Sequence, residues 1–373
     1  MAPNLPAHPT PVSLLTGFLG SGKTTVLNHL LRLPALARVA VIINEFGKIG
    51  LDHELVEATT ENVTLLESGC VCCTVRGDLS RALGSLFARR LTGEIPAFDR
   101  VVIETTGLAD PAPILHTLMT DRLLSYAFQL DGVIATVDAA AASATLDTQM
   151  EAVKQAAVAD RILLTKTDLV DATSRQAIEA RLRALNPAAP IIHAHNGVVD
   201  PVDVLNAGLY NPLTKSIDVQ NWLKAEAYSA PGGRRSPHQQ TNAPGPELAS
   251  PPHHRYRENR HDDRISAVAC TVDNPIPPEL FDTWLEILMM LRGPNILRLK
   301  GIIHVEGAPA PFVIHAVQHI FHPPVILSDW PSDDRRSRIV MIGRDLTDEF
   351  LKRGFDLLRS SAAVRDEPNG AVA

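Results

Sequence analysis

A glycine-rich octapeptide, GFLGSGKT at residues 17–24, constrains the fold of this chain more than any other segment. It matches G-x-x-x-x-G-K-[ST] and lies between an apolar run at residues 12–15 and a helical stretch at residues 25–31. In that setting backbone N–H groups wrap phosphates at a helix N-terminus, so we predict a nucleotide-binding loop rather than a turn that binds nothing. The residues predicted to hold the phosphates are Gly17, Gly20, Ser21, Gly22, Lys23, Thr24 and Thr25.

Short runs of β-branched and other apolar residues recur along the first 210 residues. They are apolar throughout rather than alternating, which is typical of strands buried on both faces of a parallel sheet. The runs lie at residues 12–15, 39–43, 63–66, 101–103, 132–137 and 161–164. After a flexible N-terminus at residues 1–11, we predict an α/β domain of the P-loop NTPase type at residues 12–210, with a mostly parallel sheet.

The composition changes after residue 210. Residues 211–264 are predicted to form a linker, because most of them belong to a stretch rich in Pro, Gly, Arg and His. Residues 265–360 are predicted to form a smaller C-terminal α+β domain, and residues 361–373 are predicted to be a disordered tail. The elements expected in the second domain are strands at 265–272, 301–305, 311–321 and 338–342, a helix at 278–291, and a helix after Thr347.

Charge and hydropathy exclude two classes of partner. The chain of 373 residues has a formal net charge of −7 at pH 7, so no general attraction to nucleic acid or to an anionic membrane is expected. The N-terminus has no basic segment followed by an apolar one, and no later stretch contains 18 consecutive apolar residues. We therefore predict a cytoplasmic protein that binds neither nucleic acid nor a membrane.

A second part of the phosphate site is predicted at the end of the run at residues 101–103. Glu104 stands where many P-loop enzymes carry a carboxylate that holds a metal-bound water. Gly107 is placed to bring its backbone N–H to the γ-phosphate. We predict that Lys23 and Glu104 are catalytic, and that Mg²⁺ is bound by Thr24 and, through water, by Glu104. The alternative is an acidic residue that only ends a strand.

The tetrapeptide TKTD at residues 165–168 bears on the choice of base. The Asp168 carboxylate can accept hydrogen bonds from the guanine N1–H and 2-amino groups, which adenine lacks, while the stem of Lys166 covers the base. GTP is therefore the predicted nucleotide. The common form of the motif begins with Asn, so Thr165 is expected to lose an amide that ties the loop down and contacts the base.

Three of the four cysteines lie together at Cys70, Cys72 and Cys73. The side chains of Cys70 and Cys72 share one side of an extended segment, and a turn at Cys73 would add a third thiolate. Three soft ligands with an open fourth position suit an exchangeable Zn²⁺ or Cu⁺, and also Co²⁺ or Ni²⁺ with a further N or O ligand. An inert buried cluster and a redox switch are the alternatives.

Histidines indicate metal binding more weakly than the cysteines do. His315 and His319 share one face of the strand predicted at residues 311–321, and we expect that face to be partly exposed. The histidines of the linker fit a solvated loop better than a metal site. They are His238, His253, His254 and His261.

Together these segments resemble the CobW-type GTPases, relatives of the nickel-enzyme maturation GTPases UreG and HypB that include zinc metallochaperones and a YjiA-like branch. The likeness covers residues 12–205 through the motifs above and through NEFG at residues 44–47. Residues 265–360 resemble the C-terminal domain of that family, with RLKG at residues 298–301 and Trp330 as weaker markers.

The resemblance implies a switch loop at residues 44–47. Within it Glu45, in preference to Asp52, is expected to act in catalysis near Mg²⁺, the attacking water or the cysteine-bound metal. Ile43 and Lys48 stand where some relatives carry acidic residues, so no metal ligand is inferred there. The resemblance also implies that the nucleotide state alternates metal holding and release, with a client metalloprotein as partner and a homodimer as a further expectation.

Three functions therefore compete. The first is hydrolysis of GTP to GDP and phosphate, coupled to transfer of a transition metal, most simply zinc. The second is a P-loop ATPase or small-molecule kinase, which the TKTD element and the lack of a recognisable acceptor pocket disfavour. The third is a metal buffer or sensor that uses nucleotide only structurally and releases negligible phosphate.

Overall fold

The computed structural model of the chain describes residues 8–44, 64–68, 76–205, 265–318, 320–321, 324–327, 329–330 and 333–345. These residues form two sheets, one on each side of the gap between residues 205 and 265. Among them, no helix combines the length and the hydropathy needed to cross a bilayer.

The first sheet has seven strands in the order β3-β2-β4-β1-β5-β6-β7, and every strand pairing described in it is parallel. The predicted α/β fold is confirmed. The sequence did not predict β7, a short strand that pairs with β6. The strands are β1 (Thr10–Gly17), β2 (Val39–Asn44), β3 (Thr64–Ser68), β4 (Arg100–Glu104), β5 (Phe128–Asp138), β6 (Arg161–Thr165) and β7 (Ile191–Ala194).

Helices cover both faces of this sheet because its central strands are apolar on both sides. On β1, Leu14 and Leu15 point to opposite faces, each into its own core cluster. Leu15 packs in the cluster that contains Leu27 of α1, and Leu14 in the cluster that contains Leu115 of α3. The helices are α1 (Lys23–Leu31), α2 (Arg76–Thr92), α3 (Ala112–Thr120), α4 (Arg122–Ala127), α5 (Ala142–Thr148), α6 (Met150–Val158), α7 (Ala172–Leu185) and α8 (Pro201–Val204).

The second sheet is antiparallel, with its main strands in the order β11-β10-β9-β13-β8 and β12 paired to β10. Helix α9 (Pro278–Arg292) packs on one face through Trp284 and Leu288, which share a buried cluster with Leu299 and Met341. The predicted α+β class is confirmed. The strands are β8 (Ile265–Val272), β9 (Ile296–Ile303), β10 (Phe312–Val317), β11 (Ile320–Phe321), β12 (Val325–Ile326) and β13 (Ser337–Arg344).

Two predicted strands of this domain were wrong in their bounds. The strand expected at residues 301–305 is β9, which begins at Ile296; its polar residues Arg298 and Lys300 concealed it although both are buried. The strand expected at residues 311–321 is a hairpin, because the chain reverses at Gln318, whose φ is 54°. His315 is 5% exposed, so the expected exposure of its face was also wrong, and His319 lies outside the described residues.

The other face of the antiparallel sheet packs on the first domain. Strand β9 contacts α6, β8 contacts α7 and β10 contacts α3. Leu297, Val317 and Ile342 belong to the same core cluster as the helices of the first domain. The two sheets therefore share one continuous apolar core.

A buried carboxylate joins the domains at this interface. Asp160, between α6 and β6, forms ion pairs with Arg298 and with Lys300, whose Nζ lies 2.9 Å from Oδ1. Its Oδ2 accepts a hydrogen bond of 3.0 Å from the Val133 N–H. Burial alone would raise the pKa of Asp160, but the two cations and the N–H hold this pKa below its ordinary value. Burial and the adjacent guanidinium lower the pKa of Lys300, against the pull of Asp160.

Asp160→Asn is expected to lower the free energy of unfolding by about 3–5 kcal/mol at pH 7, because it removes the carboxylate that pairs with the buried Arg298 guanidinium and the buried Lys300 ammonium. A carboxyl whose native pKa is lowered contributes its full stability above its ordinary pKa of about 3.9, and loses this contribution progressively as the pH falls from there toward the lower native pKa. The difference between wild type and variant should therefore shrink as the pH falls below that value. Urea unfolding at neutral and acid pH, followed by tryptophan fluorescence, measures it.

Asp171→Asn is the matched control, since Asp171 is an exposed N-cap of α7 and Asn is an equally good cap. It should change the free energy of unfolding by less than about 1 kcal/mol. A loss as small as this for Asp160→Asn would contradict the role given to the buried ion pairs.

Candidate nucleotide site

The loop between β1 and α1 has the backbone of a phosphate cradle. Gly17, Gly20 and Gly22 have φ values of 146°, 70° and 89°, in the region that side chains rarely adopt. A Cβ at Gly17 would lie 2.2 Å from Thr136 Oγ1, so the loop can pass over β5 only without a side chain there. Gly22 precedes α1 and offers no side chain to cap it, which leaves the first-turn N–H groups for an anion.

Two buried side chains hold this cradle in shape. Ser21 Oγ lies 2.6 Å from Thr136 Oγ1, and this hydrogen bond ties the loop to β5. The Lys23 ammonium donates to the carbonyls of Gly17 and Phe18, at 3.0 and 3.2 Å. Lys23 is only 8% exposed, so its charge lies inside the loop where phosphates would bind.

A hydroxyl and a carboxylate meet beside the loop. Thr24 Oγ1 donates to Glu104 Oε1 at 2.8 Å, and Glu104 is 5% exposed at the end of β4. Hydroxyl and carboxylate oxygens are the ligands that Mg²⁺ prefers. A carboxylate that accepts a hydrogen bond from a metal-binding hydroxyl is placed to hold a metal-bound water as well, so these two side chains fit a hard divalent cation.

Gly107 packs directly against the phosphate loop. A Cβ at this position would lie 2.6 Å from the backbone N of Leu19, so any side chain would push the two loops apart. The segment that carries Gly107 follows β4 and is bound at its start to β1, because the Thr105 N–H donates to the Leu15 carbonyl at 2.9 Å. Its later part is bound by Gln155 of α6, a residue that belongs to no recognisable motif and was not predicted.

The loop after β6 is attached to the phosphate loop through Thr165. Its Oγ1 donates to the Ser21 carbonyl at 2.8 Å and is buried. The loop is therefore tied down although the asparagine amide of the common motif is missing, because the threonine hydroxyl binds the backbone of the phosphate loop. The Lys166 ammonium lies 2.7 Å from Asp138 Oδ2, and Asp168, two residues further along the chain, is exposed. Asp138 was not predicted, although it ends β5 at the same edge of the sheet.

A further loop approaches the site from the unpredicted strand β7. Asn196 and Gly197 form a tight turn with φ values of 51° and 78°, closed by a bridge between His195 and Val198. A Cβ at Gly197 would lie 2.8 Å from the Thr25 side chain, so the turn packs on the start of α1. The Asn-Gly pair is the signal that could have revealed this turn.

The remaining predicted site residues are outside the part of the chain that the structure describes. They are Glu45, Cys70, Cys72 and Cys73. Cys270, the one cysteine within that part, is 4% exposed in the core of the second domain. The described residues contain no group of three or more His, Cys, Asp or Glu side chains that could hold a metal ion.

Comparisons with known proteins match both parts of the chain. Residues 11–193 match the family described as CobW/HypB/UreG, nucleotide-binding domain, and residues 265–359 match the cobalamin synthesis protein cobW C-terminal domain. The zinc chaperone YjiA of Escherichia coli is 32% identical over 356 residues, which cover 94% of this chain and 99% of that protein. The zinc chaperone CobW of Pseudomonas aeruginosa is 30% identical, with coverages of 90% and 88%.

A solved structure gives the same match in three dimensions. The crystal structure of Zn(II)-bound YjiA GTPase from E. coli superposes with a TM-score of 0.66 at 28% identity, covering 94% of this chain and 99% of that one. Both domains match in the same order, and the match covers nearly the full length of the chain. The chain therefore belongs to the CobW family of P-loop GTPases.

Proposed function

We propose that this protein binds GTP with Mg²⁺, hydrolyses it to GDP and phosphate, and uses the cycle to hand a transition metal, most simply zinc, to a client metalloprotein. The observation that carries the proposal is the 2.8 Å contact between Thr24 and Glu104 beside the phosphate loop. The relatives named zinc chaperone and GTPase support it.

The phosphate chain would lie across the N-terminus of α1. Lys23 would exchange its bonds to two loop carbonyls for bonds to the β- and γ-phosphates. Thr24 would hold Mg²⁺ directly, and Glu104 would hold it through a water molecule. The bound ion neutralises charge that develops on the phosphate oxygens. The Gly107 N–H would contact the terminal phosphate, and Glu45 is proposed to act on the attacking water.

Guanine is proposed to bind between the loops after β6 and β7. Asp168 is exposed there, so its carboxylate is available to accept hydrogen bonds from N1–H and the 2-amino group. The ion pair with Asp138 holds the Lys166 ammonium to one side. Adenine has neither donor in that place, which disfavours the ATPase and kinase alternatives.

The metal is proposed to be cargo carried by Cys70, Cys72 and Cys73. Three thiolates with an open fourth position allow release to an acceptor, whereas a closed site of four ligands is usually structural. Leu19 of the phosphate loop and Leu108 of the neighbouring loop are 58% and 47% exposed. These apolar side chains support a protein contact there. A client metalloprotein is the proposed partner, and a homodimer stays a prediction.

Asp168→Asn is expected to change the preferred base. The amide oxygen can still accept from N1–H, but the amide NH₂ would face the 2-amino group of guanine, donor against donor, so GTP affinity should fall about 10- to 100-fold. Xanthosine triphosphate, whose C2 oxygen is an acceptor, should bind better. Competition against a fluorescent GTP analogue measures both. Asp171→Asn, three residues away on the surface, should leave both affinities unchanged. Equal GTP affinity in Asp168→Asn and wild type would show that the base binds elsewhere.

Thr165→Val is expected to weaken GTP and GDP binding equally, by about 10-fold, because it removes the hydroxyl that holds the Ser21 carbonyl and leaves that carbonyl without its donor. The bond shapes the phosphate cradle and touches neither the base nor the terminal phosphate. Thr173→Val, on the exposed surface of α7, is the control. Wild-type affinities in Thr165→Val would mean that the loop keeps its shape without this bond.

Cys72→Ala is expected to abolish the response of GTP hydrolysis to zinc. Phosphate release from GTP and from ATP would be measured with Mg²⁺ while buffered free Zn²⁺ is raised. Wild type should prefer GTP and change its rate with stoichiometric zinc, and Cys72→Ala should keep the zinc-free rate at every zinc concentration. Cys270→Ala, in the core of the other domain, should respond as wild type does. Zinc binding with negligible phosphate release would instead support the buffer or sensor alternative.

A further inference from the structure

The loop between β4 and α3, residues 105–111, is held from two directions. Its start is bound to β1 through the Thr105 N–H. Its end is bound to α6, because the Lys154 ammonium lies 2.7 Å from Asp110 Oδ2. The Gln318 amide of the second domain also approaches the same carboxylate oxygen, at 3.4 Å. The position of the loop therefore depends on α6 and on the antiparallel sheet as well as on β4.

Gln155 of α6 binds the middle of this loop. Its Nε2 donates to the carbonyls of Gly107 and Ala109, at 3.2 and 2.9 Å, and the side chain is 1% exposed. Both donors of the amide are thus used on the carbonyls of the two residues that flank Leu108. The Oε1 atom has no hydrogen-bond partner among the described residues, so these two bonds set the orientation of the amide.

The opposing wall is the phosphate loop. Gly107 already lies in contact with Leu19, so the loop cannot move further toward the phosphates. Gln155 also lines a cleft that Leu19 and Ser21 of the phosphate loop line. Without its two hydrogen bonds, the segment around Gly107 and Ala109 would lose the contact that holds it from the side of α6.

Helix α6 takes its own position from the second domain. At its C-terminal end the Val158 carbonyl accepts a hydrogen bond from the Arg298 guanidinium, and Asp160 binds the same guanidinium. Strand β9 packs along the helix. Helix α6 thus contacts the antiparallel sheet at its C-terminal end and the loop of Gly107 near its middle.

We propose that Gln155 is a positioning residue for GTP hydrolysis: it keeps the Gly107 N–H where the γ-phosphate would bind. Because α6 is held by the second domain, the position of this N–H also depends on that domain. The inference rests on the proposed function. GDP has no γ-phosphate, so loss of Gln155 should weaken binding of GTP and leave the affinity for GDP unchanged.

Gln155→Leu tests this, since leucine has a similar volume and no donor. We expect kcat for GTP to fall about 10- to 100-fold, the cost of a misplaced group at a reacting centre. Affinity for a non-hydrolysable GTP analogue should fall about 10-fold while GDP affinity is unchanged. Gln149→Leu is the matched control, because Gln149 precedes the same helix and its side-chain amide donates to the neighbouring Thr148 hydroxyl, at 3.4 Å, and not to the loop of Gly107.

Gln155→Glu separates positioning from packing and guards against a variant that fails to fold. A buried carboxyl has a raised pKa, and only its neutral form can donate to a carbonyl. Activity relative to wild type should therefore recover in part as the pH is lowered from 8 to 6, because the single O–H of a neutral carboxyl can replace only one of the two hydrogen bonds. Wild-type kcat in Gln155→Leu, or equal losses of GDP and analogue affinity, would overturn the proposal. If wild type releases no phosphate, hydrolysis itself is wrong, and the analogue-to-GDP affinity ratio still decides the role of Gln155.

Discussion

Parallel strands end at the same edge of a sheet, and this constraint brings the functional loops of the protein together. Lys23 and Asp168 follow strands β1 and β6, and Glu104 and Asp138 are the last residues of β4 and β5. Residues from distant parts of the sequence therefore meet at one edge of the sheet. Hydroxyl groups then fix the loops to one another: Ser21 is bonded to Thr136 through its side chain and to Thr165 through its carbonyl. The cradle is therefore shaped before any nucleotide arrives, which lowers the entropy lost on binding.

The second domain is part of the same physical unit. Its antiparallel sheet completes the core around α6, and Asp160 compensates two buried cations that would otherwise be costly. This makes α6 the structural link between the domains. A partner that shifts the antiparallel sheet would also shift the helix that carries Gln155, and a change at the terminal phosphate would be transmitted in the opposite direction.

The fold and the phosphate site follow from local patterns, whereas the contacts between domains do not. The P-loop and the buried strands could be predicted because glycine spacing and continuous apolar runs are local signals. Strand β9 was misplaced because Arg298 and Lys300 resemble surface residues until Asp160, about 140 positions earlier, is brought beside them. Gln155 was missed for the same reason: a single buried amide has no pattern, and its partners lie 46 and 48 positions away. Glu45 and the cysteine cluster are sequence-based proposals outside the described residues.

We propose that the bound nucleotide controls how tightly the protein holds its metal. The most direct test is the affinity of the protein for zinc, measured by competition with a chelator, once with GDP bound and once with a non-hydrolysable GTP analogue. Coupling of this kind typically changes affinity by about 5- to 150-fold, and linkage requires the same factor for the effect of zinc on nucleotide binding. A difference in that range, equal in both directions, is the predicted result. Equal zinc affinities in the two nucleotide states would contradict the account.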